Sequence, residues 1–331
     1  MIYCFFVAAY FCMQKVVQGL KTFSYFGLIL LFGATFLSFF GSASYLLDLL
    51  THFHMQYAIG FLVLVGFFLV QKKPFILFVA TLGFITHIIF LLPYYFQPTA
   101  LAVNTSETTT LRVFFNNINY GIIDYSLLID SIHQHQPQVI GLVEISGDKY
   151  NQLKAQLLEY PFSYHVPGRG KLGLALFSQL PFADQPSTQY FSDNQFPSIV
   201  ATIQSLQSDK KLTIIVIHPP PPIISNYTTA RNKLFDNLAD FASLQTDPLL
   251  VVGDFNSTGW SPAFQKLLAD SVLIDSRNNQ GVQPSWPSQL PKFLRIPIDH
   301  MLTNQLVTVS HREVLPSIGS DHLPVLADFS W

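Results

Sequence analysis

Residues 249–256 read Leu249-Leu-Val-Val-Gly-Asp-Phe-Asn256, a short apolar run that ends abruptly in a glycine, an acid and an amide. Four apolar residues bounded by polar ones suit a buried strand better than a helix, which needs ten or more. The acid and amide then emerge at the strand end, held rigidly and facing a cleft. The same design recurs along the chain. One apolar run closes at Asn117, the next at Glu144, and Thr213-Ile-Ile-Val-Ile ends in His218. Asp299 follows Ile296-Pro-Ile298, and Asp321 with His322 sits in Gly319-Ser-Asp-His-Leu-Pro-Val325. Carboxylates and amides with no cysteine nearby offer hard oxygen ligands, the preference of Mg²⁺ or Mn²⁺. The two histidines add proton donors and phosphate contacts.

Around these ends the pattern alternates. Strands are expected at 111–118, 138–145, 172–178, 212–218, 249–254, 298–302 and 325–329, and helices at 125–136, 149–159, 228–244 and 261–270. Mixed order of this kind predicts an α/β sandwich of two sheets.

The first third differs in composition. The chain has 331 residues, 50% hydrophobic and only 11% charged, with a mean hydropathy of +0.34, too apolar for an ordinary soluble protein. Residues 1–97 carry as charges only Lys15, Lys21, Asp48, Lys72 and Lys73. Of 18 basic and 20 acidic residues this leaves fourteen and nineteen for the rest. That balance, without a Lys/Arg run, argues against a nuclease gripping a nucleic-acid backbone, though a nucleic-acid partner stays open. Three membrane-spanning helices are expected at about 23–47, 53–70 and 74–96, each long enough for a ~30 Å hydrocarbon layer. A polar linker spans 98–110, and a soluble domain fills 111–331. Lys15, Lys21 and the Lys72-Lys73 turn place the N-terminus and that turn in the cytoplasm by the positive-inside rule. After three crossings the soluble domain lies outside the cytoplasmic membrane. Residues 1–12, with both cysteines (Cys4 and Cys12), are too short to span, and translation is expected to start at Met13.

Gly253-Asp-Phe-Asn256, Ser320-Asp-His-Leu-Pro324, Ile298-Asp-His300, Val143-Glu144 and the Asn117 strand occur in the order found in the endonuclease/exonuclease/phosphatase superfamily, which this chain resembles over nearly all of 111–331. Gly173-Leu-Ala-Leu-Phe-Ser178, Trp260-Ser-Pro-Ala-Phe264 and Pro284-Ser-Trp286, together with the three spans, are similar to the bacterial membrane-anchored subgroup that includes vancomycin/teicoplanin resistance-type proteins. The resemblance implies a metal held by Glu144 with Asn117 and Asp321. It further implies that Asp254 orients and deprotonates water, and that Asn256 hydrogen-bonds the phosphoryl oxygens. His322, oriented and kept protonated by Asp299, would donate to the phosphate, and His218 would clamp its other side. The expected activity is metal-dependent hydrolysis of a phosphate ester or pyrophosphate on a membrane lipid. An extracytoplasmic nuclease and a catalytically inactive binding domain are the alternatives.

Other polar residues have plainer expectations. By alternation along its strand Asn116 points away from Asn117. His300 is expected to pack structurally, and His87 to make a helix–helix hydrogen bond. Arg169, Lys171 and Arg231 are each as consistent with solvated surface charge as with contact to an anionic substrate.

Overall fold

The computed structural model describes residues 2–97, 109–121, 124–168, 170–192, 195–206 and 208–331. Most of the expected linker, and Arg169, lie outside the described residues.

The N-terminal part is four helices: α1 (Ile2–Ser38), α2 (Tyr45–Leu50), α3 (His54–Val70) and α4 (Pro74–Leu91). Three stretches, Met13–Ser38, Tyr45–Val70 and Pro74–Tyr94, are long and apolar enough to cross a membrane. The first helix expected over 23–47 instead closes at Ser38. Gly41 abuts Thr51 and Pro262, where a Cβ would lie 2.6 Å from the Thr51 methyl. The Ser44 side chain then caps α2 by accepting from Leu47 N. Apolarity runs unbroken across this bend, so hydropathy alone could not reveal it. Phe23, Ile29, Val63, Phe75 and Phe78 point outward and are more than 60% exposed, an apolar surface suited to lipid. Inside, His87 accepts or donates to Thr35 Oγ1 at 2.9 Å and to His54 Nδ1 at 2.8 Å, joining three helices as expected of it.

Beyond the linker come β1 (Thr110–Asn117), α5 (Ser126–His135), β2 (Val139–Val143), α6 (Gly147–Gln156), β3 (Phe162–Val166), β4 (Leu174–Ser178), β5 (Ser187–Gln189), β6 (Ser198–Gln204) and β7 (Lys211–Ile217). The chain continues through α7 (Ser225–Ser243), β8 (Leu249–Asp254), α8 (Pro262–Asp270), β9 (Ile274–Asp275), β10 (Asp299–Thr303), β11 (Thr308–Val314) and β12 (Val325–Ser330). Two six-stranded sheets result, ordered β11-β12-β1-β2-β4-β3 and β5-β6-β7-β8-β10-β9. Each is built around one parallel pair, β1 with β2 and β7 with β8. Val113, Phe115, Val216 and Val252 lie in the core between the sheets, while α5 and α6 cover one outer face and α7 and α8 the other. This is the α/β sandwich the sequence predicts.

The helices meet the sandwich at one end. Asp48 of α2 pairs with Arg231 of α7 at 2.7 Å, both side chains buried. Trp260 Nε1 donates to Phe90 O at 3.0 Å, and Gly281 N to Tyr94 O at 2.7 Å. Arg231 is therefore neither a surface charge nor a substrate contact. It fastens the helical part to the domain, and no local signal around Arg231 could have paired it with a residue so far back in the chain.

Candidate active site

Register assembles the site. In the parallel pairs Asn117 lies beside Val143, so Glu144 follows at the same sheet edge, and Ile217 lies beside Gly253, so His218 and Asp254 leave together. Asp299 opens β10 directly opposite Asp254. Gly253 is required here: a Cβ would come within 2.3 Å of Ile217 O.

Asn117 Nδ2 bridges the two sheets, donating to Glu144 Oε1 at 3.1 Å and Asp254 Oδ2 at 3.0 Å. Asn117 Oδ1 accepts from Asn119 N. Glu144 is 5% exposed and sits at φ +60°, a backbone region costly for a residue with a Cβ and found where surroundings enforce it. The enforcing contacts are Asn117 and Tyr120 N, which donates to Glu144 Oε2 at 3.1 Å. Lys171, whose side chain is largely exposed, places its Nζ 3.2 Å from the same oxygen.

Asp254 faces two imidazoles, His218 Nε2 and His322 Nε2, each 3.6 Å from Oδ2. Burial opposes its ionisation, but the positive field of His322 and the contact with His218 outweigh that and hold its carboxyl well below the usual range. His322 Nδ1 lies 3.0 Å from Asp299 Oδ2. Burial favours the neutral ring, yet the fields of Asp299 and Asp254 prevail and raise its pKa to about 9. Burial likewise pushes the Asp299 carboxyl up, against the pull of His322, so the proton between them is firmly held. Asn256 Nδ2 donates to Pro219 O at 2.9 Å, tying the loop after His218 to the loop after Asp254.

Seven of the eight expected site residues thus form one connected group. Asp321 lines the same cavity, with Trp286 Nε1 at 3.4 Å from its Oδ2, but makes no hydrogen bond to Asn117 or Glu144 among the described residues. Two serines escaped the sequence reading. Ser285 Oγ donates to Asp299 Oδ2, and Ser320 Oγ donates to Asn117 O while accepting from His322 N at 3.1 Å. The second sits in the very Ser-Asp-His run that marked the site. Asn116 points the other way, as alternation requires, its Nδ2 3.3 Å from His322 O. His300 is sealed between the rings of Phe255 and Phe264 and contacts Ser257 O at 2.8 Å, the structural role expected of it.

Glu144, His218, Asp254, Asn256, Asp321 and His322 line a cavity of about 680 Å³, with Asn117 and Asp299 hydrogen-bonded behind them. A larger depression of about 880 Å³ is lined by Arg112, His133, Glu159 and Asp328, and lacks any convergence of buried acid and imidazole. Asp254, Asp299 and His322 bring ligand-type atoms within 4.8 Å of one another. His322 Nδ1 already faces Asp299, which leaves the Glu144 carboxylate, at the cavity wall, as the other candidate ligand for a cation. There the Lys171 ammonium already supplies a positive charge.

The family model described as endonuclease/exonuclease/phosphatase family matches residues 117–322. The chain belongs to this family of phosphate-ester hydrolases. Solved structures agree in fold. A family protein of Bacteroides thetaiotaomicron is 15% identical, covering 68% of this chain and 96% of its own, with a TM-score of 0.57. A mannosyl-6-phosphatase of the same species is 14% identical over 67% of this chain and 100% of that one, TM-score 0.56. D. rerio TDP2 complexed with a single-strand DNA product is 15% identical over 67% and 99%, TM-score 0.57. No curated protein matches the chain in sequence.

Proposed function

We propose that the protein is a divalent-metal-dependent phosphoesterase, anchored in the cytoplasmic membrane, that hydrolyses a lipid-linked phosphate or pyrophosphate outside the cytoplasm. The observation that carries the chemistry is the pairing of an ionised Asp254 with a protonated His322 across one cavity. A carboxylate held ionised accepts the hydrogen bond of a water and takes its proton as the new P–O bond forms. A protonated imidazole donates to the phosphoryl oxygen on which charge builds, while the ester oxygen departs. Asp299 and Ser285 keep His322 in orientation. His218 and the second N–H of Asn256 face the other phosphoryl oxygens. Glu144 would hold Mg²⁺ or Mn²⁺, with Asn117 and Asp321 beside it, and such an ion supplies charge neutralisation to the phosphate and the leaving oxygen.

The placement of the basic residues supports the topology. The domain contacts the helices at Asp48, Phe90 and Tyr94, whereas Lys72 and Lys73 lie in the turn at the opposite ends of α3 and α4. Positive charge inside therefore puts the domain outside. A site tethered there meets lipid-borne phosphate at high effective concentration.

The full-length protein in detergent micelles, assayed on polyprenyl phosphates and diphosphates, a soluble phosphate ester, DNA and RNA, tests this directly. Turnover of the lipid phosphates that stops in chelator and returns with Mg²⁺ is expected. Faster cleavage of nucleic acid than of any lipid phosphate would replace the reading with a nuclease.

A further inference from the structure

The cavity that holds the catalytic groups is not closed by the sandwich alone. Part of its wall is the end of α2 and the turn that leads to α3, through Leu49, His52 and Phe53, which line the same space as His218, Asp254 and His322. Its apolar wall includes Leu49, Phe53, Pro221, Ile223, Tyr227 and Ile296. That apolar wall is continuous with exposed apolar surface. Ile223 is 58% exposed and Ile224 47%, just past the four prolines that follow His218. Phe293 and Leu294 are 52% and 43% exposed in a short turn fixed to α3 by Gln56, whose Nε2 donates to Phe293 O at 3.2 Å and Arg295 O at 2.8 Å.

His52 supplies a second, independent observation. The residue lines the cavity and is 4% exposed; its Nδ1 is fixed on Thr258 Oγ1 at 3.0 Å, yet its buried Nε2 has no hydrogen-bond partner among the described residues. A buried polar atom left without a partner is costly and commonly marks where a ligand supplies one.

We propose that the α2–α3 turn of the membrane-spanning part is a wall of the substrate site: Leu49 and Phe53 hold the hydrocarbon adjoining the phosphate of a membrane lipid, and His52 Nε2 meets the polar head. The occupant is a lipid chain because the wall belongs to a segment whose own helices are built for hydrocarbon. Apolar surface also continues from the cavity onto loops flanking it. A water-soluble sugar phosphate would leave that surface without a partner. The specificity element of the enzyme is thus outside its catalytic domain, which makes the helices part of the active site and not only a tether.

The inference rests on the lipid-phosphate reading, and one experiment separates the two. Full-length wild type, Phe53→Ser and Leu49→Trp are compared in detergent micelles on isopentenyl and farnesyl diphosphate, which share a head and differ in chain. Wild type is expected to prefer farnesyl diphosphate in kcat/KM. Each variant should cut that preference by about ten-fold, the effect of losing contact with one or two buried methylenes. A wild type without preference overturns the lipid reading and the wall with it. A wild-type preference that both variants retain, even if both rates fall together, overturns the wall alone. Phe53→Ser alters a partly exposed side chain and decides the matter should Leu49→Trp not fold.

Discussion

Two clusters of buried charge sit back to back on β10, and they have opposite purposes. Asp299 faces His322, which lines the cavity, while its neighbour His300 faces away, toward Arg277 and Asp275. Arg277 Nη2 lies 2.6 Å from Asp275 Oδ2 and 3.3 Å from Tyr94 Oη, and Arg312 Nη2 donates to Asp299 O at 3.0 Å. In this second cluster the Arg277–Asp275 pair is closed at short range, and neither residue lines the cavity. In the first, imidazoles stand 3.6 Å from Asp254, and His218 Nδ1 has no partner among the described residues. Composition does not distinguish the two. What separates them is whether the charges are satisfied by one another or kept facing a space that a ligand can enter.

The largest effects should divide along this line. Arg277→Ala strips a fully buried ion pair of one partner and should destabilise the protein by about 3–5 kcal/mol, seen as a large drop in thermal midpoint. Asp254→Asn and His322→Ala should instead show their main effect on kcat, lowering it by at least ~10²-fold, as lost acid–base or transition-state contacts do. A His322→Ala protein that unfolds early but keeps its kcat would merge the two clusters into one structural core.

Next in size is Glu144→Gln. The substitution keeps the shape and removes the charge, so the Mg²⁺ concentration giving half-maximal rate should rise about ten-fold or more. An unaltered metal requirement would move the cation away from Glu144, toward the Asp254–Asp299–His322 group.

How far all this was legible in the sequence follows from the same physics. Strands carrying the site are buried runs ending in a polar residue, and β1, β2, β4, β7, β8, β10 and β12 stood out for that reason. β3, β5 and β11 are edge strands with partly or fully exposed polar side chains, Ser163, Thr188 and Ser310 among them, and they show no apolar run; the two-residue β9 and β6, whose Ile199-Val-Ala run is broken by Thr202, were also not expected. Asn117, Glu144, His218, Asp254 and Asn256 were legible because each ends or follows such a strand, and Asp299 and His322 because each opens or precedes one. Ser285, Arg277 and the α2–α3 turn were not. Their importance lies in partners distant in the chain, which only the folded structure brings together.

A smaller, pH-dependent effect sharpens the contrast. Burial alone would raise the Asp275 carboxyl, but Arg277 and His300 hold it well below the usual range. A group with a depressed folded pKa gives its stabilisation in full above the unfolded value, about 3.9, and loses it as pH falls below that. Thermal midpoints should therefore drop steeply below about pH 4, and Asp275→Asn should flatten that limb. The Asn variant should also be less stable than wild type at neutral pH, since the pair is then already broken. An unchanged acid limb would assign acid denaturation to other carboxylates.

The smallest effect expected is at Lys171, on the boundary of the catalytic cluster. Its ammonium sits 3.2 Å from Glu144 Oε2, but the lysine side chain is 65% exposed while the glutamate side chain is 6% exposed. Glu144 also keeps the hydrogen bonds from Asn117 and Tyr120 N when the lysine is removed. An ion pair with one partner in water is worth at most ~1 kcal/mol, so Lys171→Met should change kcat by less than about five-fold. The sign on metal affinity is the informative part. If the ammonium competes with a cation for Glu144, removing it should tighten apparent Mg²⁺ binding, the opposite of Glu144→Gln. A hundred-fold loss of kcat in Lys171→Met, measured at saturating Mg²⁺, would instead make this lysine a phosphate-contacting residue and extend the catalytic cluster to the exposed rim of the cavity.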